Sequence, residues 1–375
     1  MLTATLSQST LPASLVQDIT VGNVLSAGGG ATEFRAAALA AGFPPSTAVR
    51  STNRQCASGL QAVVDVAHAI RAGMIDVGIG CGVESMSLGY GPGAVSEFSE
   101  LLEEHEESAN CNVPMGVLSE DAARERGISR EKQDKFAVES HVKAVRAWRE
   151  RWFEGEVVPV KARVVDPKTG EEREVLVSKD DGVREGVTVE SLGKLKPAFS
   201  DEEGASITAG TASQTTDGAA AVLLMRRSTA EQLGQRILGK FVCASVVGVP
   251  PLLMGDGPAY AIPAVLEKAG LKMEEVDVFE INEAFASQCV WCIEKLGIDM
   301  NKVNPCGGAI ALGHPLGCTG ARQVGTLMGE LRRRGEKVGV SSMCVGTVSR
   351  MMGIGVMMLE LTGIVGHGHG GGMGC

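Results

Sequence analysis

Ser51-Thr-Asn-Arg-Gln-Cys56-Ala-Ser-Gly59-Leu60-Gln-Ala-Val63-Val64-Asp-Val-Ala67-His-Ala-Ile70 is the stretch on which the reading of the whole chain turns. Leu60, Val63, Val64, Ala67 and Ile70 recur at helical spacing, so a polar turn runs straight into a helix with Cys56 at its mouth. Ala57, Ser58 and Gly59 keep the first turn narrow. Unpaired N–H groups and the positive end of the helix dipole are expected to favour a thiolate there. Taken alone, the same cysteine reads more readily as a core residue, because free Cys is commonly buried.

Around this stretch, strands and helices alternate. Asp18–Val24 reads as a strand, Glu33–Ala41 as a helix, Thr47–Asn53 as extended and Asp76–Met86 as an apolar strand buried on both faces. The pattern predicts a parallel α/β layer. From about Gly89 to Gly210 the character changes to acidic runs, charged helices and a hairpin around Asp166-Pro-Lys-Thr-Gly170, which predicts an insertion. A second strand–helix series follows Thr215–Met225: strands at Ile237–Val247, Val276–Ile281, Val338–Cys344 and Ile354–Leu361 alternate with helices. Strand-Asn23 is echoed by strand-Asn282, and the Cys56 helix by the helix after His314. Two duplicated halves would face one cleft and bring Cys56, His314 and Cys344 within reach of one another.

Composition narrows the possibilities. Of 375 residues, 44% are apolar and 21% charged, as in a folded globular chain, and 49 glycines imply tight strand-to-helix turns. The formal charge of −10, without a basic run interleaved with aromatics, argues against nucleic acid as a partner. No segment reaches the ~18 apolar residues of a membrane span, and Met1-Leu2-Thr3 opens no signal peptide, so a soluble intracellular protein is expected. Ten cysteines without a repeated framework point to reduced thiols. Cys289-Val-Trp-Cys292 matches C-x-x-C but has no second pair and reads as helix core, and no metal site is expected. His367 and His369 fall in a Gly-rich tail.

Three later motifs keep Cys56 company: Asn282-Glu283-Ala284-Phe285-Ala286, Gly313-His314-Pro315-Leu-Gly317-Cys318-Thr-Gly320 and Ser342-Met343-Cys344-Val345-Gly346. Each sets a reactive group among glycines or small residues. Together with Cys56 they resemble the thiolase family, most closely the 3-ketoacyl-CoA thiolases of peroxisomal type, from about Leu2 to about Glu360. The resemblance implies a five-layer α-β-α-β-α fold of two α/β halves. Residues 1–92 with 211–228 would form one half, 93–210 an inserted CoA-binding loop domain, 229–362 the other half and 363–375 the tail.

It also implies an acyltransferase that thiolytically cleaves 3-ketoacyl-CoA to acetyl-CoA and a shortened acyl-CoA. Cys56 would be the nucleophile, His314 its base and Cys344 the acid/base thiol. Asn282 would hold a water in the thioester-oxygen pocket, and the N–H groups of Cys56 and Gly346 would bind the other oxyanion. Arg184 would lie near the nucleotide of coenzyme A, Ser213 on its pantetheine arm, and Met115 and Phe285 on the acyl side. Coenzyme A is then a substrate, no cofactor is needed, and a homodimer in the peroxisome is expected, with mitochondrial or cytoplasmic placement open. A condensing acetoacetyl-CoA thiolase and an inactive acyl-CoA-binding form are the alternatives. Met373-Gly-Cys375 is not a peroxisomal tripeptide.

Three departures from the family pattern stand out. Thr211 replaces a usual Asn, and Thr347–Gly353 interrupts a glycine-rich run after Gly346. The first half also lacks the strand with which the second begins, which in the family is taken to lie mid-sheet. A truncated start is therefore expected to leave two inner strand edges unpaired.

Overall fold

A computed structural model describes residues 1–91, 98–166, 168–346 and 356–360. Its first half runs α1 (Leu2–Ser9), β1 (Asp18–Gly22), α2 (Ala31–Ala40), β2 (Ala48–Thr52), α3 (Ser58–Arg71) and β3 (Val77–Ser85). An excursion then carries α4 (Met115–Glu125), α5 (Arg130–Arg149) and an antiparallel hairpin, β4 (Val160–Val165) with β5 (Glu172–Val177), before β6 (Asp217–Met225) returns to the sheet. The second half comprises β7 (Lys240–Ser245), α6 (Gly257–Ala269), β8 (Val278–Ile281), α7 (Ala286–Leu296), α8 (Thr319–Arg334), β9 (Val338–Ser342) and β10 (Val356–Glu360).

The strands form two four-stranded sheets, ordered β2-β1-β3-β6 and β7-β10-β9-β8. In the first, β1 lies parallel to β2 and β3, and β6 is antiparallel to β3. In the second, β8 and β9 are parallel and β10 is antiparallel to both its neighbours. The halves superpose in connectivity: β1 answers β8, β3 answers β9 and β6 answers β10. The bridge between Phe279 and Val303 stands where β2 stands in the first sheet.

This order corrects one expectation. The strand with no partner in the first half corresponds to β7, and β7 is an edge strand beside β10. The first sheet therefore runs through four mutually paired strands without an inner gap, and the predicted pair of unsatisfied inner edges does not exist.

Helices α3 and α8 lie side by side between the sheets. Leu60 and Val63 of α3 meet Ala321, Val324, Leu327 and Leu331 of α8, with Val222 and Leu224 of β6 and Val278 of β8 closing the layer. Each fully buried Leu or Val here contributes about 1.5–3 kcal/mol. On the outer face of the first sheet, Phe34 and Ala38 cover Ile19 and Ile79. Ile262, Val265, Cys289 and Ile293 do the same for Phe279, Ile281 and Val340 of the second. The middle helices approach closely because glycine lines their crossing. A Cβ on Gly59 would stand 2.5 Å from the Gly317 carbonyl oxygen, and one on Gly320 would stand 2.5 Å from the Leu60 nitrogen. A Cβ on Gly82 of β3 would also collide with the Gly317 oxygen.

Candidate active site

Cys56 occupies the turn between β2 and α3 and is 2% exposed. Burial dominates and pushes the thiol up to about 11; the Gly346 N–H and its own N–H pull it down, and the Glu84 carboxylate adds repulsion. The helix mouth does not produce a resting thiolate. One reason lies in the local backbone: the N–H groups of Ala57 and Ser58 are spent on the carbonyls of Arg54 and Gln55.

Cys344 follows β9 and is fully buried. Burial holds its thiol well above the usual range, and the Cys56 and Cys292 sulfurs raise it further. Its Sγ donates to Gln288 Oε1 at 3.7 Å. Met115, Phe285 and Cys344 belong to one apolar cluster with Leu118, Ile207 and Met254. The Met115 sulfur lies so close to Gly346 that a Cβ there would collide with it. Phe285 meets Phe199 edge to face, with ring centroids 5.6 Å apart.

Asn282 leaves the end of β8, where its N–H donates to the Ser342 carbonyl at 2.9 Å. It caps no helix, because Phe285 is the N-cap of α7. Its Nδ2 donates to Nε2 of His314 at 3.3 Å. The His314 N–H donates to the Gln214 carbonyl, and its Nδ1 stands 2.6 Å from Thr319 Oγ1. Burial, helped by Arg322, brings His314 down to about 3, so the imidazole is neutral at rest. Among the described residues no hydrogen bond joins His314 to Cys56. The two segments meet instead through backbone, where Gly59 packs on the Gly317 carbonyl, while the Glu84 carboxylate ties the Asn23–Leu25 loop to the His314 loop by accepting N–H groups of Val24, Leu25 and Gly317 and the Asn23 amide.

Burial raises the Glu283 carboxyl above its ordinary range, against the hydrogen bonds that hold it. It is buried and accepts from Ser140 Oγ (2.6 Å), Asn304 Nδ2 (2.8 Å) and the Ile310 N–H (3.2 Å). Ser213 stands at the rim, its N–H donating to the Ala284 carbonyl at 2.9 Å. Thr211 closes its own loop through its hydroxyl, which accepts the Thr208 N–H. Arg184 is exposed and lies elsewhere, in an open cleft of about 380 Å³ with His141, Val145, Arg146, Arg149 and Val187. Cys318, Cys289 and Cys292 are buried. Among the described residues no His, Cys, Asp and Glu cluster suits a metal ion. The altered segment Thr347–Gly353 and the tail with His367 and His369 lie outside the described residues.

The structure thus packs Cys344, Met115 and Phe285 together, sets Cys56 and Gly346 beside them, and pairs Asn282 with His314. Two opposed thiols, backbone donors and a neutral imidazole can perform acyl transfer with carbon acid/base steps. Glu84, Gln288 and Thr319 were not singled out from the sequence. Their only signals were a carboxylate ending an apolar strand and single polar residues beside the motifs.

Residues 1–228 match the Thiolase, N-terminal domain model and residues 235–358 the Thiolase, C-terminal domain model. The chain is 58% identical over 347 residues to the peroxisomal 3-ketoacyl-CoA thiolase of Yarrowia lipolytica, covering 92% of this chain and 83% of that protein. A solved structure of the dimeric peroxisomal thiolase of Saccharomyces cerevisiae superposes with a TM-score of 0.87 at 47% identity, covering 96% of this chain and 89% of that one. A second yeast structure is described as five-layered, built from two core domains of identical topology. It superposes at 0.72 with 44% identity and covers 93% and 84% of the two chains.

Proposed function

The chain belongs to the thiolase family, and from that premise we propose that it cleaves 3-ketoacyl-CoA with coenzyme A, giving acetyl-CoA and a shortened acyl-CoA. The observation that supports the reading is the company of two buried thiols: the Gly346 N–H favours the Cys56 thiolate, and the Cys56 sulfur in turn raises the Cys344 thiol.

Neutral thiol and neutral imidazole at rest mean that the Cys56 proton passes to His314 Nε2 as the carbon–sulfur bond forms, not before it. The sulfur attacks the 3-keto carbon, and the oxyanion is held by the N–H groups of Cys56 and Gly346, donors worth about 3–4 kcal/mol of barrier each. Collapse breaks the carbon–carbon bond. Asn282 and His314 hold the departing enolate oxygen while the Cys344 thiol protonates its carbon. Coenzyme A then gives its thiol proton to the Cys344 thiolate and attacks the acyl-enzyme. Cys56 leaves as thiolate and recovers its proton from His314, which closes the cycle.

Coenzyme A is thus a co-substrate, and no step calls on a cofactor. Met115 and Phe285 would border the acyl chain and Ser213 the pantetheine arm. Arg184, with Arg146 and Arg149 in its cleft, offers guanidinium groups suited to the phosphates of a nucleotide. A homodimer and a peroxisomal address follow the relatives. Sedimentation at twice the chain mass and colocalisation of a tagged chain with peroxisomes check these two points.

The deciding experiment supplies a 3-ketoacyl-CoA without coenzyme A and maps the adduct by peptide mass. An acyl group on Cys56, absent in Cys56→Ala, with acetyl-CoA released in equal amount, is expected. No adduct and no acetyl-CoA overturns the reading. Comparing acetoacetyl-CoA with a long 3-ketoacyl-CoA then separates the degradative enzyme from one built for condensation.

A further inference from the structure

The C-x-x-C pair of α7 is not used by the chemistry above, yet one of its thiols is wired to Cys344. Gln288 bridges the two. Its Oε1 accepts from Cys344 Sγ at 3.7 Å, and its Nε2 donates to Cys292 Sγ at 3.9 Å, both within the longer reach of sulfur. Cys292 in turn donates its own proton to the Gly255 carbonyl at 3.4 Å. That last contact fixes the others. With its proton committed to a carbonyl, Cys292 can only accept, so the NH2 end of Gln288 must face it and the carbonyl end must face Cys344. Gly255 also holds the side chain in place, since a Cβ there would stand 3.1 Å from Gln288 Cγ.

We propose that Gln288 and Cys292 are positioning residues that present Cys344 in its proton-donating form at the start of each cycle. An amide oxygen accepts from a thiol but repels a thiolate, so the relay favours S–H until the enolate draws the proton away. It also favours rapid reprotonation of Cys344 by coenzyme A in the second half-reaction. Among the described residues, the titratable groups acting on Cys344 are the thiols of Cys56, Cys289 and Cys292. The other elements against it present Leu118, Met254 and Phe285, which are apolar. This inference rests on the thiolytic reading above.

The test is the alkaline limb of kcat/KM for a 3-ketoacyl-CoA, where loss of the Cys344 proton ends activity. In Cys292→Ala the amide is free to turn its NH2 toward Cys344 and stabilise the thiolate, so the limb should move down by about one unit. Cys292→Ser restores a group that both donates and accepts, and should return the limb. Gln288→Glu places a negative charge beside the sulfur and should move the limb up, opposite to Cys292→Ala. Thermal melts accompany each variant. Lower turnover or melting temperature with both limbs unmoved overturns the relay and reduces these residues to packing. Wild-type protein without thiolysis, measured first, overturns the functional reading itself and the relay with it.

Discussion

Thr319 has a single hydroxyl proton and two groups within reach, Nδ1 of His314 at 2.6 Å and the Pro315 carbonyl at 3.0 Å. A carbonyl can only accept, so the hydroxyl donates to Pro315 and its oxygen accepts Nδ1–H. Nε2 is then left with a lone pair, which receives the Asn282 amide at rest and is the form that the proposed proton transfer from Cys56 requires. In Thr319→Val the buried Nδ1–H loses its partner, at about 1–3 kcal/mol. Turnover should fall roughly 10- to 100-fold with KM little changed, as steady-state kinetics would show. A variant with wild-type kcat would mean that the tautomer is set elsewhere. Cys56, Asn282, His314 and Cys344 could be singled out as candidates from the sequence because each reactive group sits among small residues within one motif. Thr319 and Glu84 were not, because their partners are chosen by how a turn closes rather than by residue type. The thiolate expected at Cys56 failed for a related reason: spacing reveals a helix start but not how deeply its sulfur is buried.

Among the elements, the seam between α3 and the loop entering α8 is the most demanding. Adding a methyl group at Gly59 brings carbon to 2.5 Å from the Gly317 oxygen, a backbone atom that no rotamer change can move aside. Gly59→Ala should therefore cost about 1–3 kcal/mol in stability and should lower turnover disproportionately, because the shift falls between Cys56 and His314. Calorimetry and kinetics on one preparation would show both losses, and unchanged values would deny the contact. Strand and helix positions could be read from the chain because buried runs such as Val77–Ser85 and amphipathic runs such as Ser58–Arg71 have distinct periods. Sheet order could not, because it depends on which edge each crossover reaches. The expected gap in the first sheet was misplaced on that account, and β7 at the rim of its own sheet reveals the true position.

Across the whole molecule, the buried ionisable groups make stability depend on pH. Burial pushes Glu280, at the root of the Asn282 strand, up to about 8, despite Arg322 at 3.2 Å. A carboxyl raised in the folded state stabilises the fold fully below its ordinary range, and that contribution is lost as pH climbs through about 8. His141 and His314 act in the opposite sense, being lowered to about 4 and about 3. Their effect is largely spent by pH ~7.5, about one unit above the ordinary histidine value, where the ring is neutral folded or unfolded, so it opposes the carboxyl only at the lower end of the neutral range. Between about pH 7.5 and 8.5 the melting temperature should therefore decline, and Glu280→Gln should flatten that decline whatever it does to the absolute value. An equal slope in both proteins would place the titration on another group.

The Gly317 carbonyl, lodged against Gly59 and Gly82, has a consequence for how such a molecule can diversify. A join made of main chain has no side chain to exchange, so mutation cannot retune the spacing of the two loops by degrees; it can only keep or break it. Variation is thereby steered toward the side chains that can be exchanged, such as Met115, packed with Phe285, and Phe199, edge to face with Phe285. The join is anchored by what cannot vary, and change is left to residues that can.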